Sequence, residues 1–150
     1  MATIRPIEAK DESRWRELWE GYNQYYERTI AEDATALTFK RMLDPNVELY
    51  GAVAEEPDGQ LSGFVTWMPH MYTGTVNDIV YLHDLFVDPN VRNKGTGRRL
   101  MEHVFAEAEK AGACKVYWLT QHFNHRAQLL YTKVGEKTPF VHYTHTFGKK

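Results

Sequence analysis

The sequence predicts an α/β domain with a mixed sheet. A chain of 150 residues fits one domain, and its 43% hydrophobic and 25% charged residues are ordinary for a globular protein. Its strand-like and helix-like segments follow the order β α α β β β α β α β. Because a meander in this order leads into a strand–helix–strand crossover, the sheet should contain both antiparallel and parallel pairs.

The first half begins with a strand and two helices. Residues 3–7 are a short strand, and residues 11–26 a helix with Asp11 as its expected cap. The apolar positions of this helix recur at helical spacing, at Trp15, Leu18, Trp19, Tyr22 and Tyr26. A polar, acidic loop over residues 28–34 precedes a second helix over residues 35–43, which Asp44-Pro45 should end.

Three strands are expected in the middle of the chain. Residues 49–54 and 61–69 should pair as a hairpin, because residues 56–59 read Glu-Pro-Asp-Gly, a typical turn sequence. Residues 76–87 form a long segment that is apolar on both faces. This pattern predicts a central strand covered on each side.

The last third alternates helices and strands. An amphipathic helix is predicted over residues 96–111 and should end before Gly112; its stripe comprises Leu100, Met101, Val104, Phe105 and Ala108. Residues 115–120 are a buried strand, and residues 141–147 a final strand, with one more short strand near Glu136. Between them lies a helix over residues 126–134 that should end at Gly135 and bury Ala127, Leu130, Tyr131 and Val134.

Composition indicates where the protein is located and which kinds of ligand are not expected. The single cysteine, Cys114, excludes an internal disulfide and is expected to be a buried small hydrophobe. We find no signal peptide and no apolar run long enough to span a bilayer, so we expect a cytoplasmic protein, or a nucleocytoplasmic one in a eukaryote. The histidine spacings match no metal site. No nucleic-acid module and no membrane partner are expected.

Charge is divided unevenly between the two parts of the chain. Residues 1–90 hold 16 acidic and 7 basic residues (7 − 16 = −9), and residues 91–150 hold 4 acidic and 11 basic residues (11 − 4 = +7). This is either an uneven solvated surface or the mark of two ligands, a cation bound by the first part and an anion bound by the second.

The densest group of cations lies in N-V-R-N-K-G-T-G-R-R-L, residues 90–100. A glycine-rich turn after a strand presents free backbone N–H groups at the start of a helix, and the helix dipole favours an anion there. A phosphate is therefore the expected guest, although a tight turn with incidental charge is the alternative. The spacing fits neither a P-loop nor the dinucleotide fingerprint.

What does fit is R-x-x-G-x-G, formed by Arg92, Gly95 and Gly97, followed by N-x-x-A-x-x-x-Y-x-x-x-G, formed by Asn124, Ala127, Tyr131 and Gly135. The two blocks, in this order and on these elements, resemble the GNAT superfamily of N-acetyltransferases. The stretches L-H-D-L-F-V and K-T-P-F-V-H-Y are most similar to a subgroup of fungal histone or D-amino-acid acetyltransferases and their bacterial relatives.

The resemblance implies a GNAT-like, mostly antiparallel sheet that is split by a V between central strands, with helices on both faces. It also implies acetyl-CoA (coenzyme A) as the acetyl donor. Backbone groups of Leu85, Phe86 and Val87 would bind the pantetheine arm and the thioester. The diphosphate would lie on the segment Arg92, Asn93, Lys94, Gly95, Thr96, Gly97 and Arg98, and Lys94, Arg98 and Arg99 are the candidate phosphate-binding cations.

The same resemblance implies that Tyr131 protonates the leaving thiolate and that Asn124, beside Ala127, contacts the pantetheine. From the residues alone, Tyr131 also fits a core aromatic, and Asn124 also fits a helix N-cap.

The amine must lose a proton before it attacks, and His83 and Asp84 are the candidate bases. Successive strand residues face opposite ways, so only one of them should reach the site unless a bulge intervenes. A buried, hydrogen-bonded strand histidine is the alternative for His83.

The resemblance also implies that the loop after the first helix lines the acceptor channel, so the acceptor is expected near Tyr25, Tyr26 and Glu27, with His83 and with Tyr143 of the last strand. Carboxylates beside tyrosines suit a cationic amine, although a solvated acidic loop is the alternative.

We therefore expect an N-acetyltransferase that acts on a small primary amine, either an amino acid or a polyamine-like molecule, by direct attack in a ternary complex. The alternatives are a protein or histone lysine N-acetyltransferase and a non-catalytic acyl-CoA-binding module. By analogy with the family, a homodimer is expected.

Overall fold

The computed structural model describes residues 1–91, 95–121 and 123–148. The chain divides into two compact units, Met1–Leu119 and Thr120–Lys150. Within the described residues, no helix combines the length and apolar character needed to cross a bilayer.

A five-stranded sheet forms the first unit's centre. Its strands lie in chain order, and the first three pairings are antiparallel, whereas the last is parallel. The strands are β1 (Thr3–Pro6), β2 (Tyr50–Glu55), β3 (Leu61–His70), β4 (Ile79–Val87) and β5 (Val116–Tyr117). The β2–β3 hairpin has the predicted turn, in which the N–H of Gly59, at φ 89°, donates to the Glu56 carbonyl over 2.8 Å. The predicted mixed, mostly antiparallel sheet is confirmed.

Helices cover both faces of this sheet. The helices of the first unit are α1 (Glu12–Tyr25), α2 (Glu32–Leu43) and α3 (Thr96–Lys110). The α1 ring of Trp15 packs on Phe64 of β3, with ring centroids 6.1 Å apart. The preceding residue, Gly63, points the other way, because a Cβ there would lie 3.2 Å from Leu100 of α3. The prediction of helices on both faces is therefore confirmed.

An aromatic core holds α1 and α2 on the sheet. Trp15 is 1% exposed, and its ring centroid lies 5.2 Å from that of Trp19 and 5.3 Å from that of Phe39 in α2. Each buried aromatic side chain stabilises the fold by roughly 1.5–3 kcal/mol. The predicted apolar stripe of α1 thus becomes the main core of the first unit.

Asp11 does not cap α1 as predicted. Its side chain makes no cap hydrogen bond to that helix. Both carboxylate oxygens accept instead from Arg5, each at 2.9 Å, and one also accepts from the Glu8 N–H. Burial alone would raise the pKa of Asp11, but the Arg5 guanidinium outweighs it, so the pKa is lowered. Cys114 is also exposed rather than buried.

The predicted strands near the C-terminus are largely wrong. The strand expected over residues 115–120 is reduced to the two half-buried residues of β5. The described residues 136–148 form no strand, so neither the strand over residues 141–147 nor the one near Glu136 is present. Aromatic and β-branched residues favour a strand only where a partner strand supplies hydrogen bonds, so composition alone does not make one.

The second unit contains one helix, α4 (His125–Val134). The four side chains predicted to face inward are half-buried, and none is fully buried: Ala127, Leu130, Tyr131 and Val134. The helix ends before Gly135 as predicted, but Gly135 is extended, with φ −158°, rather than left-handed.

Candidate active site

A β-bulge in β4 brings two candidate bases onto one face of the sheet. Thr66 of β3 pairs with Asp84, whereas the next residue, Trp67, pairs with Leu82, so His83 is an extra residue in β4. A bulge interrupts the alternation of side chains and turns one of them. From the sequence, only one of the two side chains was expected to reach the site unless a bulge was present. The structure has that bulge.

His83 and Asp84 form a hydrogen-bonded dyad. His83 Nδ1 lies 3.0 Å from Asp84 Oδ1, and the two side chains are 44% and 4% exposed. An ionised carboxylate only accepts hydrogen bonds, so Nδ1 carries the proton and Nε2 keeps a lone pair. The hydrogen bond to Asp84 raises the pKa of His83 above its usual value, although burial acts in the opposite direction. This is the arrangement of an oriented imidazole base.

Tyrosines surround the dyad. The Tyr22 hydroxyl donates to the His83 carbonyl over 3.4 Å. Burial and the nearby Asp84 carboxylate raise the pKa of Tyr22, so this hydroxyl stays protonated. The Tyr81 ring lies edge-on to the His83 ring at 5.1 Å and stacks on Tyr117 at 4.9 Å. The imidazole is therefore oriented by the hydrogen bond to Asp84 and by the edge-on contact with Tyr81.

The far half of β4 has an edge that no described strand covers. β5 pairs only with Val80 and Tyr81 of β4, and the later residues of β4 have no partner strand on this side among the described residues. The Asp88 N–H donates to the Ser62 carbonyl over 2.8 Å. Because amide directions alternate along an antiparallel strand, Leu85 and Val87 then point their backbone groups to the uncovered edge.

Phe86 has a different place from its two neighbours. Its amide groups point toward β3, and its ring packs on Tyr22 and Phe64, with centroids 6.2 and 6.4 Å apart. Of the three residues predicted to bind the pantetheine arm, Leu85 and Val87 thus have backbone groups at the uncovered edge, and Phe86 supports the core.

The start of α3 has the backbone expected of an anion site. Gly95, the N-cap, has φ 71°, and its carbonyl accepts from the Arg99 N–H over 3.1 Å. No side chain caps this end in the described part of the chain, so the first-turn N–H groups of Thr96, Gly97 and Arg98 are available. A Cβ at Gly95 would meet nothing within 4 Å, so open space lies in front of the turn. A phosphate fits here.

The predicted phosphate cations are less free than the backbone. Arg98 pairs with Glu102 over 3.1 Å, and Arg99 donates to the Ala2 carbonyl. Arg92, Asn93 and Lys94 lie outside the described residues. Among the described residues, the backbone amides at the start of α3 are candidates for binding phosphate, as is Arg98, because its exposed pair with Glu102 is weak.

Asn124 is an N-cap in the second unit. Its Oδ1 accepts from the Ala127 N–H over 3.2 Å at the start of α4, which confirms the capping alternative. Tyr131 lies on the same helix and is half-buried. Tyr143 is 87% exposed in the segment that forms no strand.

Comparison with known proteins decides the family. The profile of the acetyltransferase (GNAT) family matches residues 14–135. The chain belongs to this family. It is 42% identical over 141 residues to the D-amino-acid N-acetyltransferase HPA3 of Saccharomyces cerevisiae, covering 93% of this chain and 88% of the yeast protein.

Two further comparisons agree. This GNAT acetyltransferase is 32% identical over 142 residues to the N-acetyltransferase YhfO of Bacillus subtilis, covering 93% of this chain and 94% of that protein. Its fold matches the structure of AAC(6')-Iy in complex with a CoA-based bisubstrate analogue, with a TM-score of 0.84 at 20% identity and 99% of each chain covered.

The predicted acceptor residues lie at the end of α1 in this acetyltransferase. Tyr25 is 57% exposed, and its ring packs edge-on against that of the half-buried Tyr26 at 5.1 Å. Glu27 is left-handed, with φ 55°, and its N–H donates to the Gln24 carbonyl. A non-glycine residue costs roughly 1–2 kcal/mol in this conformation.

Sequence reasoning missed Arg28. Its guanidinium lies 5.3 Å from the Tyr22 ring centroid and 5.6 Å from that of Tyr26. The available signal was an arginine directly after Tyr-Tyr-Glu at a helix end, in a loop treated only as acidic. That interpretation did not predict a guanidinium packed on two tyrosine rings.

Proposed function

We propose that this GNAT enzyme transfers acetyl from acetyl-CoA to the primary amine of a small molecule, an amino acid or a polyamine-like compound, by direct attack in a ternary complex. The observation that supports this most is the dyad of the half-exposed His83 and the buried Asp84, on the same strand as the amides of Leu85 and Val87 that no described strand covers. The relative named as a D-amino-acid N-acetyltransferase supports a small amine as the acceptor.

The chain's own groups divide the work as follows. When bound, acetyl-CoA supplies an activated thioester. The N-terminus of α3 would hold its diphosphate, and backbone groups of Leu85 and Val87 would hold its pantetheine arm and polarise the reacting carbonyl. The amine gives one proton to His83 Nε2, and Asp84 stabilises the imidazolium that forms.

The Tyr131 hydroxyl donates a proton to the sulfur that leaves. The second proton, which the nitrogen loses after the attack, restores the tyrosine, and the proton taken up first by His83 passes to solvent. Asn124 contacts the pantetheine through the polar groups that capping does not use. The proposed roles of Tyr131 and Asn124 follow from the second family motif, which lies in the second unit.

The decisive test is a panel of acceptors with acetyl-CoA, followed by release of free thiol. The panel contains D- and L-amino acids, polyamines, and lysine peptides including a histone tail. Turnover of amino acids or polyamines supports the proposal. Turnover of peptides alone would replace it with protein lysine acetylation, and tight acetyl-CoA binding without any turnover would replace it with a binding module.

Tyr131→Phe tests the proton donor. We expect kcat to fall by about 100-fold, since a general acid contributes at least that much, while the dissociation constant of acetyl-CoA changes little. Tyr50→Phe is the matched control, because Tyr50 is a half-exposed ring on β2 packed on Trp67. Turnover of Tyr131→Phe at the parent rate would assign this tyrosine to packing alone.

A homodimer remains part of the proposal, as does a cytoplasmic location. Large side chains near the C-terminus are strongly exposed and support association: Phe140 is 85%, Val141 75%, Tyr143 87% and Phe147 84% exposed. Light scattering of the full chain measures its mass directly, and a monomer at micromolar concentration would contradict a stable dimer.

A further inference from the structure

Arg28 is held in a fixed position although its side chain is exposed. Its Nε donates to Asn23 Oδ1 over 2.7 Å, and its backbone N–H donates to the Asn23 carbonyl over 3.0 Å. Asn23 is 5% exposed, and its Nδ2 donates to the Trp19 carbonyl over 2.9 Å, which fixes the orientation of the amide. The rings of Tyr22 and Tyr26 hold the face of the guanidinium.

The charge of Arg28 has no carboxylate in contact within the described residues. By contrast, Arg5, Arg14 and Arg16 are each within 3.1 Å of an acidic side chain. The contacts that Arg28 makes with described residues involve its Nε and the rings of Tyr22 and Tyr26, and none of these residues accepts a hydrogen bond from its two terminal nitrogens. Such a planar fork matches both oxygens of a carboxylate.

The guanidinium lies one tyrosine ring away from the strand that carries the proposed base. One tyrosine ring separates them, because Arg28 lies over Tyr22 and the Tyr22 hydroxyl donates to the His83 carbonyl. The positive charge of Arg28 also acts on His83 and on Tyr81, which faces it. A small ligand on the fork would then lie on the side of Tyr22 from which the Arg28 charge acts on His83.

We propose that Arg28 binds the carboxylate of the acceptor, so that the preferred acceptors are free amino acids whose amine faces His83 Nε2. This inference rests on the proposed function and narrows it. A fixed cation beside the site attracts an ammonium carboxylate at its acidic end and repels a polyamine, which offers only positive charge. The carboxylate of Glu27, predicted near the acceptor, would then lie on the side of the amine rather than of the acid group.

The first test compares an amino acid with its primary amide, which keeps the amine and removes the negative charge. Phenylalanine and phenylalaninamide, each as D and L forms, are suitable pairs. The parent should favour the acid in kcat/KM. In Arg28→Gln this preference should fall roughly 10- to 100-fold, mostly through KM, because one charge-assisted contact is lost.

Arg28→Lys keeps the charge without the fork and should recover part of the preference. Arg41→Gln is the matched control, an exposed arginine at the end of α2, and should keep all of it. A parent enzyme that favours the amide, or an Arg28→Gln variant that keeps the parent's preference, would overturn the role of Arg28 while leaving acetyl transfer intact.

The second test does not require turnover. Calorimetry in the presence of coenzyme A measures the binding of N-acetyl-phenylalanine and of its amide to the parent and to Arg28→Gln. Tighter binding of the acid that disappears in the variant supports the inference even if no acceptor is acetylated, in which case the proposed function alone fails. Equal binding of acid and amide to the parent would refute the carboxylate site.

Discussion

Removing the imidazole of His83 tests the dyad most directly. His83→Gln keeps a polar side chain on the bulge but cannot accept a proton at neutral pH. A positioned base contributes roughly 10²–10⁴-fold to the rate. Because His83 is 44% exposed, water can replace it in part, and the loss should lie near the lower end, about 100-fold in kcat, which is about 2.7 kcal/mol in the barrier.

Asp84→Asn should have a smaller effect that depends on His83. It removes the negative charge of the acceptor in the hydrogen bond to the partly solvated His83 ring, which is 3.0 Å long in the parent, and leaves a neutral amide oxygen in its place. Such a bond contributes roughly 1.5–3 kcal/mol, and solvent screening favours the lower value, so kcat should fall about tenfold. In a His83→Gln background the same change should cost little more, because the carboxylate would act through the imidazole.

The pH dependence of the rate tests whether Asp84 raises the pKa of His83. His83 acts as a base only when it is neutral, so activity falls as the pH drops through its raised pKa. The hydrogen bond to Asp84 is the largest cause of that rise, so Asp84→Asn should move the acidic limb to lower pH. The raised pKa also means that this pair stabilises the fold below about pH 6.5 and that the contribution is lost at higher pH.

The assay is initial-rate thiol release between pH 5 and 9 for the parent, both single variants and the double variant. Dividing each profile by that of His83→Gln removes the titration of the amine itself. Asp88→Asn is the control, since Asp88 follows the same strand but pairs with Arg14 over 2.8 Å. A His83→Gln enzyme with the parent's rate and profile would refute the dyad as the base.

Two further predictions concern stability and are measured by urea unfolding. Gly63→Ala should lower the free energy of unfolding by about 1–3 kcal/mol, because the new Cβ would lie 2.8 Å from the Phe86 carbonyl oxygen, which is part of the backbone. Gly21→Ala should cost less, because its Cβ meets a side chain, the Phe86 ring, at 3.2 Å and because alanine favours the helix. Equal effects of the two changes would contradict this packing argument. Glu27→Gly should stabilise the protein by about 1 kcal/mol through relief of the left-handed backbone, and a loss of stability would show that the Glu27 side chain makes compensating contacts.

Local sequence signals predicted most of the first unit. Helical spacing in α1 identified its buried face, and the Glu-Pro-Asp-Gly turn identified the β2–β3 hairpin. The glycine pair at Gly95 and Gly97 marked the start of α3. These features depend on residues close together in the chain, so the information lies in short windows.

The same local signals misled where a partner strand was required. The stretch over residues 141–147 has the composition of a strand but forms none within the described residues. Asp11 has the right position for a cap, yet it pairs with Arg5 from another element. In the first case no partner strand is present among the described residues, and in the second an arginine six residues earlier takes both carboxylate oxygens.

The sequence by itself determined the family, through two motifs whose spacing is a property of the chain, and with it the candidate residues. Only the tertiary structure decided how they act together. A one-residue mismatch between β3 and β4 turns His83 toward Asp84, and the end of α1 places Arg28 over Tyr22 beside them. The register between strands and the packing of a helix end on a sheet arise from contacts between distant residues, which no short window of sequence contains.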